Sequence, residues 1–378
     1  MVNITDKAKC TGCTACANIC SYNAITMQFD DCGHTYPVVG KDKCVDCGLC
    51  DLVCPLKKMD NENPDINLDS LKVLATYNKD NEVRKDSTSG GIFSVLSEYV
   101  ISKGGIIYAA RFDKEYHILH DSFDSLEEIN DFRGSKYAQS ELADTFKKIK
   151  ESLKSKTVLF VGTPCQVAGL KSYLRKEYDN LITCDFICMG ISSPRIWDEY
   201  IHSYWDVAKI KQIKFKDKRE GWHNWKFLIE DEKGEHFAHG MDDPFFYSYL
   251  THMSYRPSCL SCQFRHLRRV SDMTIADCWG IDSINPDFDD NKGCTTLIFQ
   301  NDKAESIWNV IKEKMIYTDY PYSAVEKYNP YSVKAISKHP KQDEFYKLYK
   351  EEGIKVALDK YGHKPKTSIF RKIINKLK

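Results

Sequence analysis

Two stretches share one unusual cysteine spacing. CTGCTACANIC (residues 10–20) and CVDCGLCDLVC (44–54) both read CxxCxxCxxxC. Four thiols in so short a run restrict a chain severely, because three of them at two-residue gaps curl the backbone around a common centre. The fourth cysteine of such a run opens a short helix, points away and ligates the neighbouring group. On that crossed pattern Cys10, Cys13, Cys16 and Cys54 hold one 4Fe-4S cluster, and Cys20, Cys44, Cys47 and Cys50 hold the second. Zinc also takes four thiolates, but its sites come as separated CxxC pairs and not as triplets with a trailing fourth.

This repeat resembles the bacterial two-cluster ferredoxin over roughly residues 1–60. The proline that follows each fourth cysteine in that pattern is present as Pro55 and replaced by Ser21, which affects the turn and not the ligand. Between the halves, AITMQFD and TYPVV read as a hairpin turning at DDCGH. Cys32, at that turn, stands outside either motif and reads as an ordinary free thiol.

The remaining cysteines need the rest of the chain. Sixteen thiols in 378 residues are not a disulfide framework in a reducing cytoplasm, and metal binding is the alternative. Nine lie in the first 54 residues, none between 55 and 164, and seven after that. The N-terminus, MVNITDKAKC, carries no apolar signal-peptide core, and no run reaches the ~20 apolar residues a membrane span needs. A cytoplasmic protein is expected. Lys+Arg and Asp+Glu balance at 54 each, which with the lack of a repeated aromatic platform argues against nucleic acid as a partner. The length predicts about two or three domains.

After Pro55 the polar KKMDNENPDINLDS reads as a linker. Beyond it, Ile92, Phe93, Val95, Leu96, Tyr99 and Val100 recur at helical spacing behind STSGG, and GGIIYAARF reads as a strand. Glycines and hydroxyls at a helix start free N–H groups for a phosphate, although the same pattern serves as a plain cap. RGSKYAQS (133–140) sets Arg133 and Lys136 in a second Gly/Ser loop. Neither is a dinucleotide fingerprint or a P-loop. VLFVGTPCQVAGL (158–170) reads as a buried strand running into a helix, with Cys165 in the turn. A ligand, a core thiol and a nucleophile are all open there, and the nucleophile lacks a local base.

STSGG, RGSKYAQS, GTPCQ (162–166), CDFICMG (184–190), CLSCQF (259–264) and DMTIADCWG (272–280) occur in that order. The order resembles the beta-subunit family of coenzyme F-420 (deazaflavin) hydrogenases and dehydrogenases, which includes plant 7-hydroxymethyl-chlorophyll reductase. The resemblance runs over about residues 83–340. It implies FAD beside a third 4Fe-4S cluster. Ser89, Gly90, Gly91, Lys136, Tyr137 and Gln139 match positions around the flavin, with Thr163 and Pro164 shaping the turn beside the ring. Cys165, Cys188, Cys259 and Cys262 are the implied ligands of the third cluster. Cys184, Cys278 and Cys294 are left as packed thiols, with Cys184 the alternative to Cys188.

The organisation expected is a ferredoxin-type domain (1–60), a linker (61–82), an N-terminal flavin-binding part (83–158), a C-terminal flavin and 4Fe-4S part (159–340) and a basic amphipathic tail (341–378). In class terms this is an α/β flavin and iron–sulfur body behind a small α+β domain. The function expected is an oxidoreductase passing electrons between the clusters and a substrate at FAD. Ferredoxin, deazaflavin or another redox partner is the external donor or acceptor, and surface-polysaccharide synthesis is a candidate setting. The rival is a non-catalytic subunit delivering electrons to a partner enzyme. KFKDKREGWHNWKF gathers Trp222, His223 and Trp225 with five cations, making His223 the candidate proton donor, and FRHLRR (264–269) is a second basic run. In HKPKTSIFRKIINKLK (363–378), Ile369, Phe370, Ile373, Ile374 and Leu377 share one helical face opposite Arg371, Lys372, Lys376 and Lys378. Such a helix suits peripheral contact with the inner face of a membrane, or docking onto protein.

Overall fold

The computed structural model describes residues 2–58, 71–334 and 336–364. In the N-terminal repeat the two halves share a backbone path that their residues alone do not. Gly12 and Thr14 are left-handed (φ 72° and 63°), and so are their counterparts Asp46 and Gly48 (φ 51° and 73°). Each half therefore spends one glycine and one strained residue on the same two turns, a strain of roughly 1–2 kcal/mol per non-glycine. The short helices Ala15–Ile19 and Leu49–Leu52 follow. Strands β1 (Ile25–Phe29) and β2 (Thr35–Val39) pair antiparallel between the halves, Ile25 opposite Val39.

The body is built on one mixed sheet of eight strands. These are β3 (Val73–Asn78), β4 (Ile106–Phe112), β5 (Ile118–Phe123), β6 (Val158–Val161), β7 (Leu181–Phe186), β11 (Met273–Asp277), β12 (Thr295–Phe299) and β13 (Met315–Asp319), in the order β13-β3-β12-β11-β7-β6-β4-β5. Its centre, β4-β6-β7-β11, is parallel, and the flanking strands run antiparallel. VLFV and LITCDF are buried on both faces because helices cover both. Val95, Leu96 and Val100 of helix Ile92–Ser102 cover one face. Phe146, Ile149, Val167 and Leu170, from the helices Thr145–Ser152 and Pro164–Leu174, cover the other. A separate antiparallel sheet of β8 (Gln212–Asp217), β9 (Lys226–Asp231) and β10 (Gly234–Ala238) carries an aromatic core around Trp197, Phe215, Phe227 and Phe246.

The N-terminal repeat is set into this body. Ala15 and Val53 are fully buried in the same cluster as Phe146, Val167 and Leu170. A Cβ on Gly169 would come within 3.0 Å of the Cys13 sulfur, so the helix Pro164–Leu174 meets the repeat face to face. Asn18 Nδ2 donates to the Ala143 carbonyl (2.9 Å), and Ser193 Oγ donates to that of Gly33 (2.6 Å).

Three expected boundaries change. The linker expected over 61–82 contains β3, which lies inside the sheet between β12 and β13, and the helix Asn81–Lys85. VLATYN is short and polar-flanked, so its place in the sheet comes from pairing with strands more than 200 residues downstream. The division at 158 does not separate two bodies, since β4 and β6 are neighbours in one sheet. The expected tail begins with two packed helices, Gln342–Glu352 and Ile354–Tyr361, whose Phe345, Tyr349, Ala357 and Leu358 join the aromatic core. The amphipathic segment around Ile369 and Phe370 lies outside the described residues. Because Phe345 is fully buried, Phe345→Ala is expected to cost about 3–5 kcal/mol of unfolding free energy. Denaturant titration of the full chain checks it, and an appended tail would give no change.

Candidate metal centres

The carboxyl ends of neighbouring parallel strands are where an α/β sheet presents residues to a ligand. After β6 the chain turns through GTP, the Thr163 N–H donating to Gln166 Oε1 (2.9 Å), and Cys165 falls in the first turn of the helix, not in the loop before it. After the adjacent β7, Cys188 sits beside Gly190, whose N–H points at its sulfur (3.4 Å). Gly190 has φ 124°, and a Cβ there would lie 2.4 Å from the Tyr255 ring, so only glycine fits. Cys259 and Cys262 come from the distant loop around the short helix Pro257–Leu260. All four line one cavity.

The N-terminal repeat forms two more cavities. Cys10, Cys13, Cys16 and Cys54 border one, and Cys20, Cys44, Cys47 and Cys50 border the other. The fourth cysteine of each motif thus sits with the other motif's triplet. Thr11 lines both the Cys10 cavity and the Cys165 cavity. Among the described residues no three Cys, His, Asp or Glu side chains gather tightly enough for a single ion. Each set of four cysteines borders one such space.

Electrostatics favour a cationic guest. Burial pushes the Cys165 and Cys188 thiols up, and those of Cys13 and Cys259 to about 12. Within each set the neighbouring cysteines raise these values further. Thiolates in such sets repel one another in a dry pocket, and bound metal relieves both penalties. Beside the Cys165 set, Arg269 lies 3.5 Å from the fully buried Asp185 and donates to the Phe186 carbonyl (2.9 Å). Arg265 donates to the carbonyls of Met189 and Tyr331, and its buried Nε has no hydrogen-bond partner. Cys184, Cys278 and Cys294 are buried in apolar clusters away from all three cavities, and Cys32 stays at the hairpin turn, part-buried.

A basic wall forms elsewhere on the body. The STSGG and RGSKYAQS loops meet, Ser135 N–H donating to Thr88 Oγ1 (3.0 Å). Arg133 donates to Ser94 Oγ (3.0 Å), and Lys218 caps the carbonyls of Arg84, Ser89 and Lys292. Lys136 gives its ammonium only to the carbonyls of Phe132 and Arg133, and burial brings it down to about 7. Lys216 pairs with Asp277, flanked by the rings of Trp225 and Trp279 at 5.3 and 5.2 Å. Tyr137 packs against Phe215, Phe246 and Tyr249.

Several expected flavin positions are otherwise engaged. The Gly90 N–H, expected to be free for a phosphate, donates to Thr295 Oγ1 (2.8 Å), and a Cβ at Gly90 would sit 2.3 Å from the Thr76 carbonyl, so this glycine serves close packing. Ser89 Oγ is bonded to the same threonine, and Gly91 supplies a left-handed helix entry (φ 88°). Gln139 is buried between the body and the N-terminal repeat, donating to the Thr11 and Gly12 carbonyls and accepting from Arg256. Both ends of its amide are thereby committed to the seam between repeat and body. Thr163 and Pro164 line the Cys165 cavity. His223, one-third exposed, bonds Asp289 Oδ2 through Nε2 (2.6 Å) beside the stacked pair Trp222–Trp279. Arg256, Lys216 and Asp277 escaped the sequence reading. Asp277 lies within the quoted DMTIADCWG, but a single acid in a strand carries no signal without its partner.

Residues 9–58 match the family described as a 4Fe-4S dicluster domain. Residues 155–323 match the family described as the C terminus of the coenzyme F420 hydrogenase/dehydrogenase beta subunit. Each segment is similar to the family its match describes. The chain is accordingly an iron–sulfur protein of oxidoreductase or electron-transfer type, related to the F420 hydrogenase beta subunit. Ser89, Gly90, Gly91, Lys136, Tyr137 and Gln139 precede the second matched segment. A chain of the F420-reducing NiFe hydrogenase complex from Methanosarcina barkeri is similar at 18% identity, over 79% of this chain and 94% of that one, with a TM-score of 0.48. No curated protein matches. Among the described residues no helix is long and apolar enough to cross a membrane.

The enclosed Lys136 yields a pH prediction. Its folded value near 7 lies below the ~10.4 of an unfolded lysine, so between those values the unfolded chain binds more protons and stability rises with pH. Unfolding free energies at pH 7 and pH 9 are expected to differ less in Lys136→Met than in the parent. An equal difference in both would count against the enclosure.

Proposed function

We propose that the chain is an iron–sulfur flavoprotein that exchanges electrons with an external carrier, ferredoxin or deazaflavin, and oxidises or reduces a small molecule. In this reading Cys10, Cys13, Cys16 and Cys54 hold one 4Fe-4S cluster, Cys20, Cys44, Cys47 and Cys50 a second, and Cys165, Cys188, Cys259 and Cys262 a third. The supporting observation is that three separate cavities are each bordered by one set of four cysteines. When bound, such clusters supply one-electron transfer and a flavin supplies one- or two-electron transfer.

The chain's own residues do the rest. Arg265 and Arg269 set positive charge beside the buried third set and offset the cost of drying its thiolates. Thr11, lining two cavities, keeps the N-terminal repeat and the body in contact where the first and third sets approach. For the flavin, the wall of Arg133, Lys136, Lys216 and Lys218 suits the diphosphate, and the Trp225 and Trp279 rings beside Lys216 suit a planar ring. Ser89, Gly90 and Gly91 shape that wall from behind. Asp289 holds the His223 ring in one orientation at the exposed side of the tryptophan pair, which makes His223 the proposed proton donor.

Anaerobic purification with iron, sulfide and flavin counted per chain tests the proposal. About twelve irons and one flavin are expected. Cys188→Ser is expected to lose about four irons, and Cys184→Ser none. Iron without flavin would refute the flavoprotein half. A flavin that is reoxidised only when a second protein is present would assign the chain as an electron-transfer subunit instead.

A further inference from the structure

One buried cation has no role in the preceding account. Arg256 is fully buried, and its donors reach only neutral groups and one sulfur. Nε donates to the Cys10 carbonyl (2.8 Å), and one terminal nitrogen to Gln139 Oε1 (3.1 Å). The other terminal nitrogen donates to the Thr35 carbonyl (2.9 Å) and faces Cys10 Sγ (3.7 Å). The guanidinium lies 4.2 Å from the Tyr36 ring centre. Arginine stays charged, and a full charge out of water demands a counter-charge. No carboxylate is among these partners. The one sulfur among them is Cys10 Sγ.

We infer that Arg256 is the counter-charge of the group held by Cys10, Cys13, Cys16 and Cys54, and that it raises the reduction potential of this set above the value its burial alone would give. The inference rests on the ligand assignment proposed above. Four thiolates around an iron–sulfur cage leave a net negative charge, which grows by one when the group takes up an electron. A fixed cation that also donates to a ligand sulfur stabilises the more negative state, and charge and hydrogen bonds to sulfur are the levers that set such potentials. The step adds one electron from an external reductant, and no bond at Arg256 forms or breaks.

Arg256 is built to hold that place. Gly12 makes room for it, since a Cβ there would lie 3.1 Å from the guanidinium and 2.6 Å from Gln139. Gln139, clamped on the Thr11 and Gly12 carbonyls, orients one end of the fork. The Arg256 backbone is tied to the loop of the other cysteine set, its N–H to the Ile191 carbonyl (3.1 Å) and its own carbonyl to the Cys259 N–H (2.9 Å). One residue therefore reaches from the Cys165 cavity to the Cys10 cavity. The Cys20 set receives no such contact from it. Arg256 is a positioning and tuning residue for the Cys10 set; its charge is also felt at Cys259, and the Cys20 set lies outside its contacts.

An EPR-monitored redox titration of the anaerobically prepared full chain tests this, with Arg256→Gln and Arg256→Lys beside the parent. In Arg256→Gln one wave is expected to move to more negative potential, corresponding to about a tenfold weaker electron uptake, or ~59 mV for one electron, while the Cys20 wave holds. Arg256→Lys keeps the charge but not the fork, and is expected to move the same wave by less and to retain its iron. It carries the test if Arg256→Gln fails to fold. Full iron with all waves unmoved in both variants would overturn the inference alone, and so would equal movement of every wave. A parent chain lacking the irons of the Cys10 set would overturn the ligand assignment beneath it.

Discussion

Negative charge held away from water is the constraint on which the rest of the structure depends. Twelve cysteines border three cavities, and Cys13, Cys165 and Cys259 are driven towards the neutral thiol by desolvation and by neighbouring cysteines. A protein can keep such sets only by supplying positive charge and donors around them. It does so unevenly. Arg265 and Arg269 stand at the Cys165 cavity, Arg256 bridges to Cys10, and the Cys20 set has backbone donation from Ala24 to Cys20 (3.3 Å) and from Val2 to Cys50 (3.2 Å). The most exposed cysteine of the chain, Cys47, belongs to this last set.

The same constraint explains why the N-terminal repeat is embedded in the body. A short repeat has little core of its own. Ala15 and Val53 borrow the apolar layer beneath the sheet, and Gly169 lets a helix approach Cys13 closely. Gln139 and Arg256 close the polar seam where a residue of the repeat, Thr11, reaches the cavity of the body. Packing and redox geometry are thus one arrangement: the contacts that stabilise the repeat also hold two cysteine sets against each other.

What could be read in advance follows the distance over which each signal acts. The two motifs of the repeat are local, and their eight cysteines border two spaces, four to each. The helix Ile92–Ser102 and the strands 106–112 and 158–161 were legible from apolar periodicity. Strand β3 was not, because VLATYN owes its place to partners far along the chain. The helices from 342 to 361 were hidden by their lysines and glutamates, which cover one face while Phe345, Tyr349 and Leu358 bury the other. Gln139 matched a family position, yet its hydrogen bonds go to the repeat, a seam no motif describes. Arg256 is a single arginine before a CxxC, and only the fold brings Cys10 to it. The Lys216–Asp277 pair was illegible for a related reason, since its two members come from separate strands.

X-ray absorption at the iron and zinc edges, on full-length protein prepared without oxygen, tests the central claim most directly. The account predicts iron in sulfur coordination with a second shell of iron neighbours, as multi-iron cages require. Zinc ringed by four sulfurs at about 2.3 Å, with no metal in the second shell, would contradict it.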